Sequence, residues 1–340
     1  MSRTYQGGLI TKTPVTPAGP YQCGAASGIW TIDQMVGWQK AGVWPSPTGG
    51  LTPGTVAIFA LGKICCVGVS TTRNKYTFSG CVNASATAAS VATQYSSAAG
   101  NSTFGIFALG YTTFGTTTRN KYTYNGCISA SATAASAASY SGSAAGDATR
   151  GIFALGIAGC VSTTRDKYTY SGCVVSAGAA ASVASYYGSA AGNSTAGIFA
   201  LGAVCNIPST TRNKYTYSSC TNAAATASSA VTQSGAATGN NTVGIFALGV
   251  TNIGASTTRN KDTYSGDTNV VATAASAASY GGSAAGNATR GIFALGIAGC
   301  VSTTRDKYTY SGCTSAAATA ASNGSVNGSA ASNGTTGVNV

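Results

Sequence analysis

One eleven-residue phrase written six times, the apolar pentapeptide IFALG ahead of every copy, and a period of about 46 residues together predict an all-β repeat fold, a six-bladed β-propeller. The phrase reads TTRNKYTFSGC from Thr71 and returns, with small changes, from Thr117, Thr163, Thr210, Thr257 and Thr303. The Phe of IFALG stands at 59, 107, 153, 199, 246 and 293, spacings of 48, 46, 46, 47 and 47. The array assigns residues 51–340 to one repeat domain and leaves residues 1–50 as a separate N-terminal segment.

The N-terminal segment opens polar and extended through TKTPVTPAGP, where three prolines preclude a regular helix. Thr31 then caps one predicted short helix of about ten residues, with Asp33 in its first turn and Gly42 and Pro45 behind it as the stop. Trp30, Trp38 and Trp44, the only Trp in the chain, all fall here. Such a cluster reads either as a helix packed on the propeller rim or as a docking module for another protein.

Within a repeat, Gly151 to Leu155 is a short apolar run flanked by Gly, which fits a buried strand. A loop of variable length follows, then Thr163 to Tyr170, rich in Thr and Tyr. In an extended chain Arg165, Lys167 and Thr169 share one side, and Asp166, Tyr168 and Tyr170 the other. Val174 and Val175 begin a third strand, and SAAG at 189–192 supplies a fourth ahead of the next IFALG. Ala-rich pieces such as ATAASAAS have helical propensity, but their Ser, Thr and Gly content favours strands and loops.

The first IFALG has no SAAGN ahead of it, whereas GSAASNGTTGVNV from Gly328 looks like GSAAGNATRGIFA from Gly282. The C-terminal strand is therefore expected to complete the first blade and close the ring. Residues 132–173 and 272–313 differ only at Ser141 against Gly281 and Asp147 against Asn287, the mark of a duplicated three-blade block.

Charged residues are only 7 % of the chain, so abundant small side chains let backbones pack closely. There is no His and no Glu, and the six carboxylates are Asp33, Asp147, Asp166, Asp262, Asp267 and Asp306. General acid–base catalysis and most metal sites draw on residues this chain lacks, so neither an enzyme nor a cofactor is expected. Lys and Arg total 18 against 6 Asp, and 18 − 6 gives the net charge of +12. Most of that charge is one Arg-x-Lys pair per repeat: Arg73 and Lys75, Arg119 and Lys121, Arg165 and Lys167, Arg212 and Lys214, Arg259 and Lys261, Arg305 and Lys307. These pairs admit two readings, a positive ring for anionic partners or contacts that hold neighbouring blades together. Their invariance beside a variable loop favours packing over specific nucleic-acid binding.

Eleven Cys is an odd number. At roughly 3.3 Å per extended residue Cys160 and Cys173 lie about 30 Å apart, far beyond disulfide reach, so pairing within a repeat is not expected. No run of eighteen apolar residues could span a bilayer, and the N-terminus lacks the apolar core of a secretory signal. The chain reads as made in the cytoplasm, without membrane insertion.

The spacing from the IFALG Gly to the repeat Arg runs 11, 9, 9, 10, 10 and 9, and length changes and unrelated sequences, such as KICCVGVS against YTTFGT, are concentrated in that loop. Loops that vary on a fixed scaffold are where binding specificity resides. Lys63, Ile64, Tyr111, Phe114, Asn206, Ile207, Asn252 and Ile253 are the candidate binding residues of this loop face.

An apolar strand ending in Gly, a strand centred on DKYTY and a small-residue strand before GN resemble the kelch repeat over residues 51–340. Leu-Gly replaces the kelch Gly pair, and the last-strand Trp is absent. Six-bladed sialidases and kelch-type copper oxidases use Glu, an Asp-box or His ligands that this chain lacks. GGLITKTPVTPAGPYQ followed by SGIWTIDQMVGWQKAGVWP resembles the N-terminal segment of tailed-phage structural proteins, especially cyanobacterial ones, where SGIWTLDQ-like words precede fibre or adhesin modules. That resemblance implies a non-enzymatic virion protein, on tail or capsid. It would be anchored to other virion proteins through residues 1–50, assembled as a homo-oligomer, and turned towards a host-surface glycan. The competing class is a cellular or bacterial surface propeller that binds proteins or glycans.

Overall fold

The computed structural model describes residues 54–334, apart from positions 61, 66, 109 and 248, together with Asp33. Apart from Asp33, the predicted helix lies outside the described residues, as do Trp30, Trp38 and Trp44. Between 54 and 334 the chain is all-β. It contains six four-stranded antiparallel sheets, each running inner, second, third, outer in hydrogen-bonded order.

The second sheet is typical: Ser97–Gly100, Phe104–Ala108, Arg119–Thr123 and Ile128–Ala132. The third, fourth, fifth and sixth repeat it from Ser143, Ser189, Ala236 and Ser283. The first sheet draws its inner strand from the far end of the chain. Ser329–Ser332 pairs antiparallel with Val56–Ala60, Ala57 opposite Ser332 and Ala60 opposite Ser329. Inner strands of consecutive sheets touch in sequence order, and Ser329–Ser332 touches the inner strands of both the second and the sixth sheet.

Period-two alternation sends each second strand to two neighbours. Ile58 of the first sheet packs with Ala98, Phe107, Tyr122 and Tyr124 of the second. Ile106 of the second packs with Phe153, Tyr168 and Tyr170 of the third. The pattern continues around to Ile292 of the sixth sheet, which meets Phe59, Tyr76 and Phe78 of the first. Every core cluster therefore lies between two sheets, and no sheet buries its apolar face alone.

Small residues on the inner strand follow from close approach. A Cβ on Gly100 or Gly105 would sit 2.9 Å from the Tyr124 hydroxyl, which lies over this glycine pair. Only the first sheet replaces the pair, with Ser332 and Ala57, and it alone carries Phe78 where the others carry Tyr. Losing the hydroxyl leaves room for the two side chains.

At one end of the inner strands the backbone forms a cyclic chain of hydrogen bonds. Tyr95 N–H donates to Asn327 O at 2.7 Å, Asn327 to Gly281 at 2.8 Å, and Gly281 to Ser234 at 2.8 Å. Ser234 donates to Tyr187 at 2.9 Å, Tyr187 to Ser141 at 2.9 Å, and Ser141 back to Tyr95 at 3.0 Å. All six residues are left-handed, with φ between 53° and 63°. Five of them are not glycine, and the shared hydrogen bonds hold them in a conformation that ordinarily costs on the order of 1–3 kcal/mol.

Removing residues 326–340 deletes the strand that completes the first sheet together with one link of the axial chain. The melting temperature is expected to fall by at least ~5 °C. An unchanged melting curve would show that this strand carries no stability.

Candidate functional site

The repeated arginines do not face solvent. Arg73, Arg119, Arg165, Arg212, Arg259 and Arg305 are each at most 1 % exposed. Their guanidinium groups stack on Phe107, Phe153, Phe199, Phe246, Phe293 and Phe59 of the following sheet, 4.4–4.7 Å from the ring centroids. Arg119 and Arg259 pair with Asp166 and Asp306 at 2.8 and 2.7 Å. Arg73, Arg165 and Arg305 instead meet the amide oxygens of Asn120, Asn213 and Asn74 at 3.2, 3.3 and 3.5 Å. Arg212 meets Asn260 at 3.3 Å, and Asp262, which stands in the Tyr position of its repeat, supplies the carboxylate at 2.6 Å. Burial pulls Arg73, Arg165 and Arg305 down to about 10, which still leaves them charged at neutral pH.

The Asp or Asn in this contact also fastens the segment that crosses from the outer strand of one sheet to the inner strand of the next. The Asp166 carboxylate accepts from Ser136 N–H at 2.9 Å and from its hydroxyl at 2.5 Å. Farther out, the hydroxyls of Thr87, Thr133, Thr226, Thr273 and Thr319 donate to the carbonyls of Cys127, Cys173, Asp267, Cys313 and Cys81. The lysines are half-buried and several turn inward as well. Lys75, Lys167 and Lys261 lie 3.8, 3.9 and 3.5 Å from the thiols of Cys127, Cys220 and Cys313. Lys214 donates to Tyr264 O at 2.8 Å, Lys121 sits 4.3 Å over the Phe104 ring, and Lys307 is half-buried.

The variable loops fold as short hairpins, such as Ala203–Val204 with Ile207–Pro208 and Val250–Thr251 with Gly254–Ala255. Their bases bond to the residues just ahead of the axial six: Tyr111 with Gln94, Ile157 with Tyr140, Ala203 with Tyr186, Val250 with Gln233, and Ile297 with Tyr280. The hairpins therefore surround the same end of the inner strands as the axial chain. Their tips expose Val67, Phe114, Ile207 and Ile253, the last at 92 %. Lys63, Asn206 and Asn252 are exposed beside them.

Ile64 corrects the sequence expectation: it is 7 % exposed and packs with Phe59, Tyr76 and Phe78. In a two-residue strand adjacent side chains point oppositely, so Lys63 outward places Ile64 inward. Tyr111 is half-buried in an aromatic cluster that the sequence expectations did not contain. Its ring lies 5.0 Å from Tyr140, which is 6.4 Å from Tyr95; Tyr95 is 5.5 Å from Tyr187, and Tyr187 is 4.8 Å from Tyr186. The Tyr186 hydroxyl donates to Asn206 Oδ1 at 2.9 Å. Tyr95, Tyr140, Tyr186 and Tyr187 lie just ahead of SAAG, a stretch whose changes among repeats were the available signal.

The fold is TolB-like. TolB from Acinetobacter baumannii aligns with a TM-score of 0.56 at 10 % identity, over 89 % of this chain and 73 % of TolB. At that identity the likeness is one of fold, and it places the chain with β-propeller proteins. No family model matches the chain, and neither does any curated protein. Among the described residues no three His, Cys, Asp or Glu side chains gather as a metal site, and no helix is long and apolar enough to cross a membrane.

Asp166→Ala leaves the Arg119 guanidinium buried without its partner and is expected to cost ~3–5 kcal/mol in urea unfolding. Asp166→Asn reproduces the residue that four other repeats carry there and is expected to cost less than ~1.5 kcal/mol. Equal losses for the two would refute the role given to the acceptor oxygen.

Proposed function

We propose that this chain is a closed six-bladed propeller, kelch-like in strand pattern, serving as a non-enzymatic recognition part of a tailed-phage particle. In this reading residues 1–50, with Trp30, Trp38 and Trp44, attach it to other virion proteins, and the hairpin end faces the host surface. One observation carries the recognition role: the invariant residues are spent between sheets, while the three most exposed large apolar side chains among the described residues, Val67, Phe114 and Ile253, stand on the variable hairpins around one end of the axis. Phe114, Ile207 and Ile253 cover no core of their own, and isolated exposed apolar tips on a fixed scaffold suit contact with a partner.

The buried guanidinium groups favour this reading over an electrostatic one. A ring of free arginines would attract any polyanion, nucleic acid included. Arginines buried against the next sheet contribute cohesion instead. The phage assignment rests on the likeness of residues 1–50, and copies on a particle would act together through avidity.

Replacing the residues of 63–70 other than the buried Ile64 with Ser or Gly is expected to change adsorption to host cells and leave the melting temperature within ~2 °C. Purified particles are expected to contain the chain at a fixed ratio to the major capsid protein by quantitative mass spectrometry. Absence from particles would contradict the virion role, and unchanged adsorption would contradict recognition by the hairpins.

A further inference from the structure

The axial end encircled by the hairpins holds a shallow, open pocket with a cavity volume of about 40 Å³, lined by Tyr95, Ser141, Tyr187, Ser234, Asn327 and neighbouring serine and glycine residues. No charged side chain lines it. The backbone amides and carbonyls of the axial six are engaged with one another, so the polar groups left for a ligand are side-chain hydroxyls, among them the buried Ser141 Oγ that has no hydrogen-bond partner, and the Asn327 amide.

The two sides of this pocket differ. Tyr95 and Tyr187, half-buried with ring centroids 5.5 Å apart, stand on one side, backed by Tyr140 and Tyr186. Ser234 and Gly281 occupy equivalent axial positions on the other and carry no ring. The Arg–Phe stack recurs at all six contacts between sheets and needs no such asymmetry at the axis. Comparison of the duplicated blocks points the same way. Of the two differences across 42 residues, one is Ser141 against Gly281, a hydroxyl gained or lost at the pocket.

We propose that this pocket binds a neutral saccharide, with a sugar face laid against Tyr95 and Tyr187 and its hydroxyls bonded by Ser141, Ser234 and Asn327. Half-exposed tyrosines offer an apolar ring face and a polar tip together, which matches a pyranose with its C–H face and hydroxyl rim. An organic cation would meet a chain of net charge +12 with no carboxylate in the lining, and an extended peptide would call for free backbone groups that the axial six do not present. Burial, with the adjacent Tyr95 phenol, pushes Tyr187 up to about 12, so it is a neutral hydrogen-bond donor in physiological buffers. The site names the ligand class for the recognition face and rests on that reading.

The test titrates the full chain with maltohexaose, laminarihexaose, mannohexaose and N-acetylchitohexaose, following tyrosine fluorescence and calorimetric heat. At least one is expected to bind. Tyr187→Ser and Ser141→Gly install residues that other repeats carry at the same axial position, so both variants should fold with little change in melting temperature. Tyr187→Ser is expected to abolish binding and Ser141→Gly to weaken it about tenfold. Phe114→Ser, at a hairpin tip away from the pocket, should bind as the parent does. Failure of all four sugars to bind, binding unaltered in Tyr187→Ser, or binding of heparin alone that vanishes with salt would each overturn the proposal. If adsorption still depends on residues 63–70 while no sugar binds, the saccharide site is wrong and recognition by the hairpins stands.

Discussion

No sheet in this chain covers its own arginine. Each guanidinium lies under the following sheet, stacked on a Phe and bonded to an Asn or Asp, and the Arg305 of the sixth sheet lies under the first. Taking a charge out of water costs several kcal/mol, which stacking on the Phe and hydrogen bonds from the terminal nitrogens offset, while each Nε stays without a hydrogen-bond partner. A sheet without its successor would leave that cation half-satisfied. The constraint makes the number and order of repeats interdependent, and it accounts for a C-terminal strand that returns to complete the first sheet.

Charge compensation is distributed unevenly. Two interfaces use Asp on the third strand, three use Asn, and one uses Asn together with Asp262. The last case shows how a repeat tolerates losing a buried Tyr: the carboxylate installed there bonds the Arg212 that the Tyr would only have flanked. Asn suffices elsewhere because its oxygen accepts from Arg while its amide donates to the crossing segment, as Asn120 does to Ser90. The acceptor oxygen is common to all six interfaces, and the formal charge is not.

Much of the strand plan is legible in the sequence because period-two alternation and a 46-residue repeat act over many copies. The side of the strand shared by Arg165 and Lys167 follows from the pleat alone. What lies opposite them does not, since Phe199 and Asn213 are more than thirty residues away and are brought near only by sheet stacking. Ile64 was misplaced because it was read as part of a loop, whereas two residues of strand are enough to turn it inward. The tyrosines at 95, 140, 186 and 187 come from three repeats and meet only around the axis, so no local pattern joins them. Their common place ahead of SAAG was visible, but its proximity to the axis was not.

Closure is the central claim, because both the buried arginines and the axial pocket depend on a first and sixth sheet that meet as the others do. Hydrogen exchange of the six axial amides tests it most directly. If the ring is closed, the amides of Tyr95, Ser141, Tyr187, Ser234, Gly281 and Asn327 should be protected to a similar degree and lose protection together at the global unfolding transition. Fast exchange of Tyr95 and Asn327, with the other four still protected, would show an open seam and contradict the account.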